Sequence, residues 1–150
     1  MIQKLVFVCF FIGSISVGFS QTKTSEEYVE LIEWAGTVDE GLQLGKELDK
    51  DVIIYFGMKK CVPCRFIVKN AFVTEEFKKY SEKFVMVKVY DDLDKENTKN
   101  QEYVKKYREQ YAIKSVPTMV LLKRNGEADS FFTYIKQPQD LITQIESYYN

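Results

Sequence analysis

The chain has 150 residues, 45% hydrophobic and 15% aromatic, with 21 basic and 22 acidic side chains, no histidine and a formal charge of −1. That length and apolar content supply the core of one domain and call for no second. The two charge signs are interleaved, so no basic patch points to nucleic acid, and three cysteines are too few for a multi-disulfide scaffold.

In chain order, Lys4 precedes the thirteen uncharged residues Leu5 to Val17, and small residues stand at Gly18 and Ser20. The run is shorter than the ~20 residues of a spanning helix, so residues 1–20 read as a secretory signal peptide cleaved after Ser20, a retained anchor being the alternative. Residues 21–150 are then the mature domain, with a charge of −2 once Lys4 is gone (20 basic against 22 acidic). Cys9 lies inside the apolar run with no small residues before it, which argues against lipidation.

Gln21 to Glu27 reads as a polar lead-in, and Tyr28, Leu31, Ile32 and Trp34 as a short helix-to-strand entry. Thr37 to Glu40 fits a capping box for a helix through Leu42, Leu44 and Leu48 to about Lys50, which Gly41 and Gly45 weaken. Val52 to Phe56 is a continuous β-branched and aromatic run, the pattern of a strand buried on both faces, with Gly57 ending it. A helix is expected from Pro63 to about Ala71, another from Thr74, and a second buried strand over Phe84 to Tyr90. Asp91 to Asn100 reads as a polar loop. The next helix carries Tyr103, Tyr107 and Tyr111 at helical spacing, which fits core packing better than a ligand stripe. Thr118 to Leu122 and Ala128 to Tyr134 form a hairpin around Asn125-Gly126, and Pro138 opens a last amphipathic helix.

Chemistry concentrates at Cys61-Val62-Pro63-Cys64, between the first strand and a helix. Once the leader is gone these are the only cysteines, so the pair is a redox motif, a short structural disulfide or half of a metal site. Zinc needs four ligands, which a chain without histidine or a second cysteine pair does not offer. A four-residue disulfide loop constrains the unfolded chain little. Cu(I) has soft ligands available if Met58 and Met119 approach the thiols. A cysteine in a first helical turn is stabilised as thiolate by free N–H groups, and Lys59, Lys60 and Arg65 act the same way, which makes Cys61 the candidate nucleophile.

The order of strand, CxxC, helix, strand, helix, Ser115-Val116-Pro117-Thr118 and hairpin resembles the thioredoxin family from about Trp34 to Tyr149. The resemblance implies an α/β thioredoxin-like fold, a central mixed β-sheet flanked by helices, here with an N-terminal extension. It implies a cis Pro117 whose loop lies against the CxxC, Val116 and Pro117 binding the substrate chain, Cys61 attacking and Cys64 resolving. Lys60 and Arg65 remain candidates for tuning the Cys61 thiol. Two departures stand out. Lys60 replaces the usual tryptophan before the first cysteine, and Tyr55 stands six residues before Cys61, where the prototype has a buried carboxylate that relays a proton to the second cysteine. Water, Glu47 or another carboxylate would have to take that role.

The expected activity is that of an exported protein-disulfide oxidoreductase, periplasmic or secreted, monomeric, and needing neither cofactor nor metal. Its partners would be disulfide-containing client proteins and a membrane or soluble thiol redox partner. A thioredoxin-like binding module, holding clients or carrying Cu(I) without turnover, is the alternative.

Overall fold

The computed structural model describes residues 29–133 and 137–149. The expected signal peptide, the lead-in and Tyr28 fall outside them, as does Tyr134. A mixed five-stranded sheet has the order β1-β3-β2-β4-β5, built from β1 (Trp34–Ala35), β2 (Val52–Met58), β3 (Val85–Asp91), β4 (Thr118–Leu122) and β5 (Ala128–Phe132). The first three strands run parallel, while β4 runs antiparallel to β2 and β5 to β4. Helices α1 (Val38–Glu47), α2 (Val62–Ile67), α3 (Glu75–Ser81), α4 (Thr98–Gln110) and α5 (Pro138–Glu146) cover it.

The alternation of side chains along β2 divides the core in two. Ile53 and Tyr55 join Ile67, Phe72, Phe77 and Leu141 on one face, whereas Val52, Ile54 and Phe56 join Val38, Val104 and Tyr107 on the other. The second cluster absorbs the tyrosine series: Tyr107 is buried, and Tyr103 and Tyr111 pack against it. Their hydroxyls also tie α4 to α1, since Tyr103 accepts from Val38 N at 2.9 Å and Tyr107 donates to Asp39 Oδ2 at 2.7 Å.

Several boundaries differ from the sequence expectation, each for a local reason. Residues 29–33 contain no helix: Leu31 N donates to Phe72 O at 2.7 Å and Ile32 is buried, so the entry crosses the first cluster as an irregular strap. Thr37 caps α1 and accepts from Glu40 N, but Glu40 Oε2 returns to Gly36 N rather than to the cap. The helix stops at Glu47, before Asp49 reverses the chain at φ 51°. Gly41 is there for close approach, because a Cβ on it would run into Val87 Cγ2. Strand β2 continues through Gly57 to Met58, pairing with Tyr90 and Asp91.

The helix expected to reach Ala71 stays α-helical only to Ile67 and finishes as a π-turn over Val68–Phe72. In the acidic loop, Asp91, Asp92 and Asp94 each accept a backbone N–H two residues on, and Asn97 caps α4, so that helix starts earlier than its apolar residues announce. Among the described residues no helix is long and apolar enough to cross a membrane.

Candidate active site

The end of β2 delivers the CxxC to the rim of the sheet. Lys59 N donates to Asp91 O at 2.9 Å and Cys61 N to Met58 O at 3.2 Å, which fixes the connecting loop to the end of β3. Cys61 is then the N-cap of α2, extended at φ −81° and ψ 112°, with its Sγ accepting from Cys64 N at 3.1 Å. Pro63 falls in the first turn, where a missing N–H costs no helical bond. The two sulfurs are bonded, with the Cα atoms 5.2 Å apart.

Both cysteines are largely covered, Cys61 at 6% exposure and Cys64 at 2%. Their neighbours are not: Val62 is 52% and Phe66 51% exposed, one turn apart on the helix that Cys61 caps, while Cys61 itself keeps only a narrow opening. Across the opening the Val116–Pro117 peptide is cis, and the Val116 carbonyl oxygen lies 4.0 Å from Cys61 Sγ. Pro117 is buried, its carbonyl accepts from Thr133 N at 3.0 Å, and Thr118 Oγ1 donates to Ser115 O at 2.8 Å, so the loop is held from both sides. The structure thus brings Cys61, Cys64, Val116 and Pro117 together from segments 55 residues apart.

Lys59, Lys60 and Arg65 are all exposed around this opening. Met119, considered as a soft metal ligand, is fully buried in the core and pairs with Tyr55 and Phe131 in the sheet, while Met58 is half-buried at the end of β2. Among the described residues no group of three or more Cys, Asp or Glu is arranged to hold a metal.

Beneath α2, Tyr55 is fully buried, with its ring edge-on to Phe72 at 5.0 Å. Among the described residues its hydroxyl has no hydrogen-bond partner, and it extends over Gly57, where a Cβ would sit 3.0 Å from it. Burial, and then the negative charge of Glu30 and the neighbouring Tyr90, push its pKa well above the ordinary range, so Tyr55 is neutral and no base. Glu47, considered as a substitute carboxylate, is exposed in the last turn of α1 and bonded to Gln43 Nε2 at 2.8 Å. A different carboxylate, Glu30, lies on this side of the sheet. Glu30 Oε1 is 2.6 Å from Lys88 Nζ and Oε2 accepts from Trp34 Nε1 at 2.8 Å. Lys88 is the register partner of Tyr55 and, in sequence, the one charge between Phe84 and Tyr90, which was the available signal.

No curated protein matches the chain. The solved structure of the DsbH oxidoreductase is similar, with a TM-score of 0.67, 16% identity, and 87% of this chain and 92% of that one covered. A thioredoxin from Thermus thermophilus gives 0.59 at 16% identity over 79% and 87% of the two chains. The C-terminal domain of Neisseria meningitidis DsbD in its oxidised form gives 0.53 at 17% identity over 71% and 87%. These likenesses establish the fold, and a family model described as thioredoxin-like matches residues 33–123. The chain therefore belongs to the thioredoxin-like family, with a CxxC pair that supports thiol:disulfide oxidoreductase activity.

Proposed function

We propose that this protein is an exported thiol:disulfide oxidoreductase that reduces or exchanges disulfides in client proteins. The observation that carries the reading is the Cys61–Cys64 bond at the N-terminus of α2 with the Val116 carbonyl 4.0 Å from Cys61 Sγ. Cys61, the more exposed of the two and the acceptor of the Cys64 N–H, is the attacking sulfur. Its thiolate attacks one sulfur of a client disulfide, the client's other sulfur leaves with the bonding pair, and a mixed disulfide remains. Cys64 then gives up its proton and attacks Cys61, which closes the intramolecular bond and releases the second client sulfur as thiolate. The protein loses two electrons and the client gains them. A client strand alongside Val116 and Pro117 would be held at the distance this attack requires.

Proline before Cys64, and no histidine between the cysteines, favour a reductant or modest interchange enzyme over a strong oxidant. The leader read at residues 1–20 supports export, to a periplasm or to the exterior. A membrane or soluble thiol partner would restore the reduced pair.

The test is redox cycling. The mature protein is equilibrated in glutathione or dithiothreitol buffers and its thiols counted, with CxxC potentials spanning about −270 to −120 mV. A value in the lower half supports the reductant reading. Cys64→Ser should then trap a client as a mixed disulfide through Cys61, whereas Cys61→Ser should trap none. A pair that never cycles overturns the proposal.

A further inference from the structure

Acidic and basic side chains are interleaved along most of this chain, but not where the two halves of the site meet. Residues 59–66 carry Lys59, Lys60 and Arg65, residues 114–118 carry Lys114, and neither segment holds an Asp or Glu. We infer that the clients of the Cys61–Cys64 pair are polypeptides whose disulfide is flanked by acidic side chains; the inference rests on the oxidoreductase reading above.

Three observations carry it. The first is placement. With the Val116 carbonyl 4.0 Å from Cys61 Sγ, the two segments stand on opposite sides of one opening. Lys60 directly precedes Cys61 on one side, and Lys114 comes two residues before Val116 on the other. Arg65 follows Cys64 on α2, where Val62 and Phe66 are also exposed. All four cations are exposed to solvent.

The second is that these cations are not spent inside the protein. Lys88, Lys106, Lys123 and Arg124 each have a carboxylate oxygen within 3.3 Å. Among the described residues Lys59, Lys60, Arg65 and Lys114 form no ion pair at all. Asp92 is held below the usual carboxylate range chiefly by the Asp94 N–H, with Lys59 adding to the effect, so Lys59 is partly answered at longer range. Lys60, Arg65 and Lys114 keep their charge for whatever docks.

The third is contrast of sign. The whole chain carries a formal charge of −1, so its overall field disfavours acidic polypeptides. A preference for them has to come from this patch, which acts within about 8–10 Å at ordinary salt, the range a client enters when its sulfur reaches Cys61. A client with carboxylates on both sides of its disulfide meets Lys60 and Arg65 with one flank and Lys114 with the other. Complementarity of this kind raises the encounter rate and fixes register more than it adds affinity.

Three peptides of one length test it, each with a single disulfide flanked by Glu, by Gln or by Lys on both sides. Each is mixed with reduced mature protein, quenched in acid, and its thiols measured. At low salt the second-order rate should fall in the order Glu, Gln, Lys, by about tenfold from first to last. The three should converge to within about twofold near 1 M, where charges are screened within about 3 Å. Glu beside a cysteine raises its thiol pKa and makes it the poorer leaving group, so the intrinsic chemistry runs against this order. Combining Lys60→Gln, Arg65→Gln and Lys114→Gln should abolish the order at low salt. A change in Cys61 reactivity would move all three rates together and cancel in their ratio. The salt series needs no variant and decides the matter even if the triple variant does not fold. Equal rates in the wild type at low salt, the reverse order, or an order that survives 1 M salt or the triple substitution would overturn the inference and leave the oxidoreductase reading intact. Failure to reduce any peptide, or dithiobis(nitrobenzoate), would sink both.

Discussion

The Tyr149 hydroxyl donates to Asp51 Oδ2 at 2.6 Å, which fastens the segment after α5 to the residue just before β2. Asp51 Oδ1 accepts from the backbone N and the Nε of Arg124, at 2.8 and 3.2 Å, so one carboxylate joins β2, the β4–β5 hairpin and the segment after α5. Burial works against its charge, but the bonds from Tyr149 and Arg124 together outweigh burial and hold the carboxyl below its usual range. A depressed folded pKa contributes stability that is present above the unfolded value near 4 and is lost as pH falls through the folded value. Asp51→Asn should therefore cost about 2–3 kcal/mol at neutral pH and remove part of the acid limb of the stability curve. Tyr149→Phe should cost about 1–2 kcal/mol. Urea titrations from pH 7 down to 3 measure both, and an acid limb unchanged in Asp51→Asn would count against this account.

Gly41 gives a case where helix propensity and packing predict opposite signs. In an exposed helix Gly41→Ala would stabilise by about 1 kcal/mol. Here the new methyl would enter Val87 Cγ2 on β3, so α1 must lift off the sheet or Val87 must move. Overpacking of this kind costs about 1–3 kcal/mol, and the net change should be a loss seen as a lower urea midpoint at unchanged slope. A higher midpoint would show that α1 accommodates the methyl freely.

These cases show what the sequence carried and what it did not. The strands were legible because Val52 to Phe56 is a continuous apolar run and Phe84 to Tyr90 is one broken only by Lys88, and the starts of α1 and α3 because Thr37 and Thr74 accept from N3 as hydroxyl caps do. The CxxC and the Val116-Pro117 segment were legible as local motifs, and the fold brings them into contact. Glu30 was not, because its ion pair with Lys88 spans 58 residues and its strap has no period of its own. The packing reason for Gly41 was equally hidden, since it depends on a β3 side chain that no helical pattern mentions. Gly57 read as a terminator, but a glycine there leaves room for the Tyr55 ring, whose Cε1 would lie 2.8 Å from a Cβ.

Lys60 and Arg65 are the candidates for tuning Cys61, and their exposure bounds what they can do. Charges in water are screened within about 8–10 Å at ordinary salt, so an exposed lysine or arginine acts weakly on the sulfur. Lys60→Gln and Arg65→Gln should each change the rate at which Cys61 of the reduced protein attacks dithiobis(nitrobenzoate) by less than about threefold at physiological salt, with the difference vanishing near 1 M. A tenfold loss that survives high salt would instead mean a direct interaction with the Cys61 thiolate.

Phe66 is the last residue whose role can be separated from stability. A side chain 51% exposed on α2 contributes little to the core, while on the helix that Cys61 caps it is free to meet an approaching client. Exposed aromatic surface beside a reactive group is where binding energy is gained on contact, so its loss should act on client affinity. Phe66→Ser should leave the melting temperature nearly unchanged, within about 0.5 kcal/mol of stability, and leave the reaction with a small disulfide at the wild-type rate. Reduction of a protein disulfide should become several-fold less efficient, through a higher KM at similar kcat. Equal losses on the small and the protein disulfide would place the effect on the Cys61 sulfur itself, and a stability loss above about 2 kcal/mol would make Phe66 a packing residue despite its exposure.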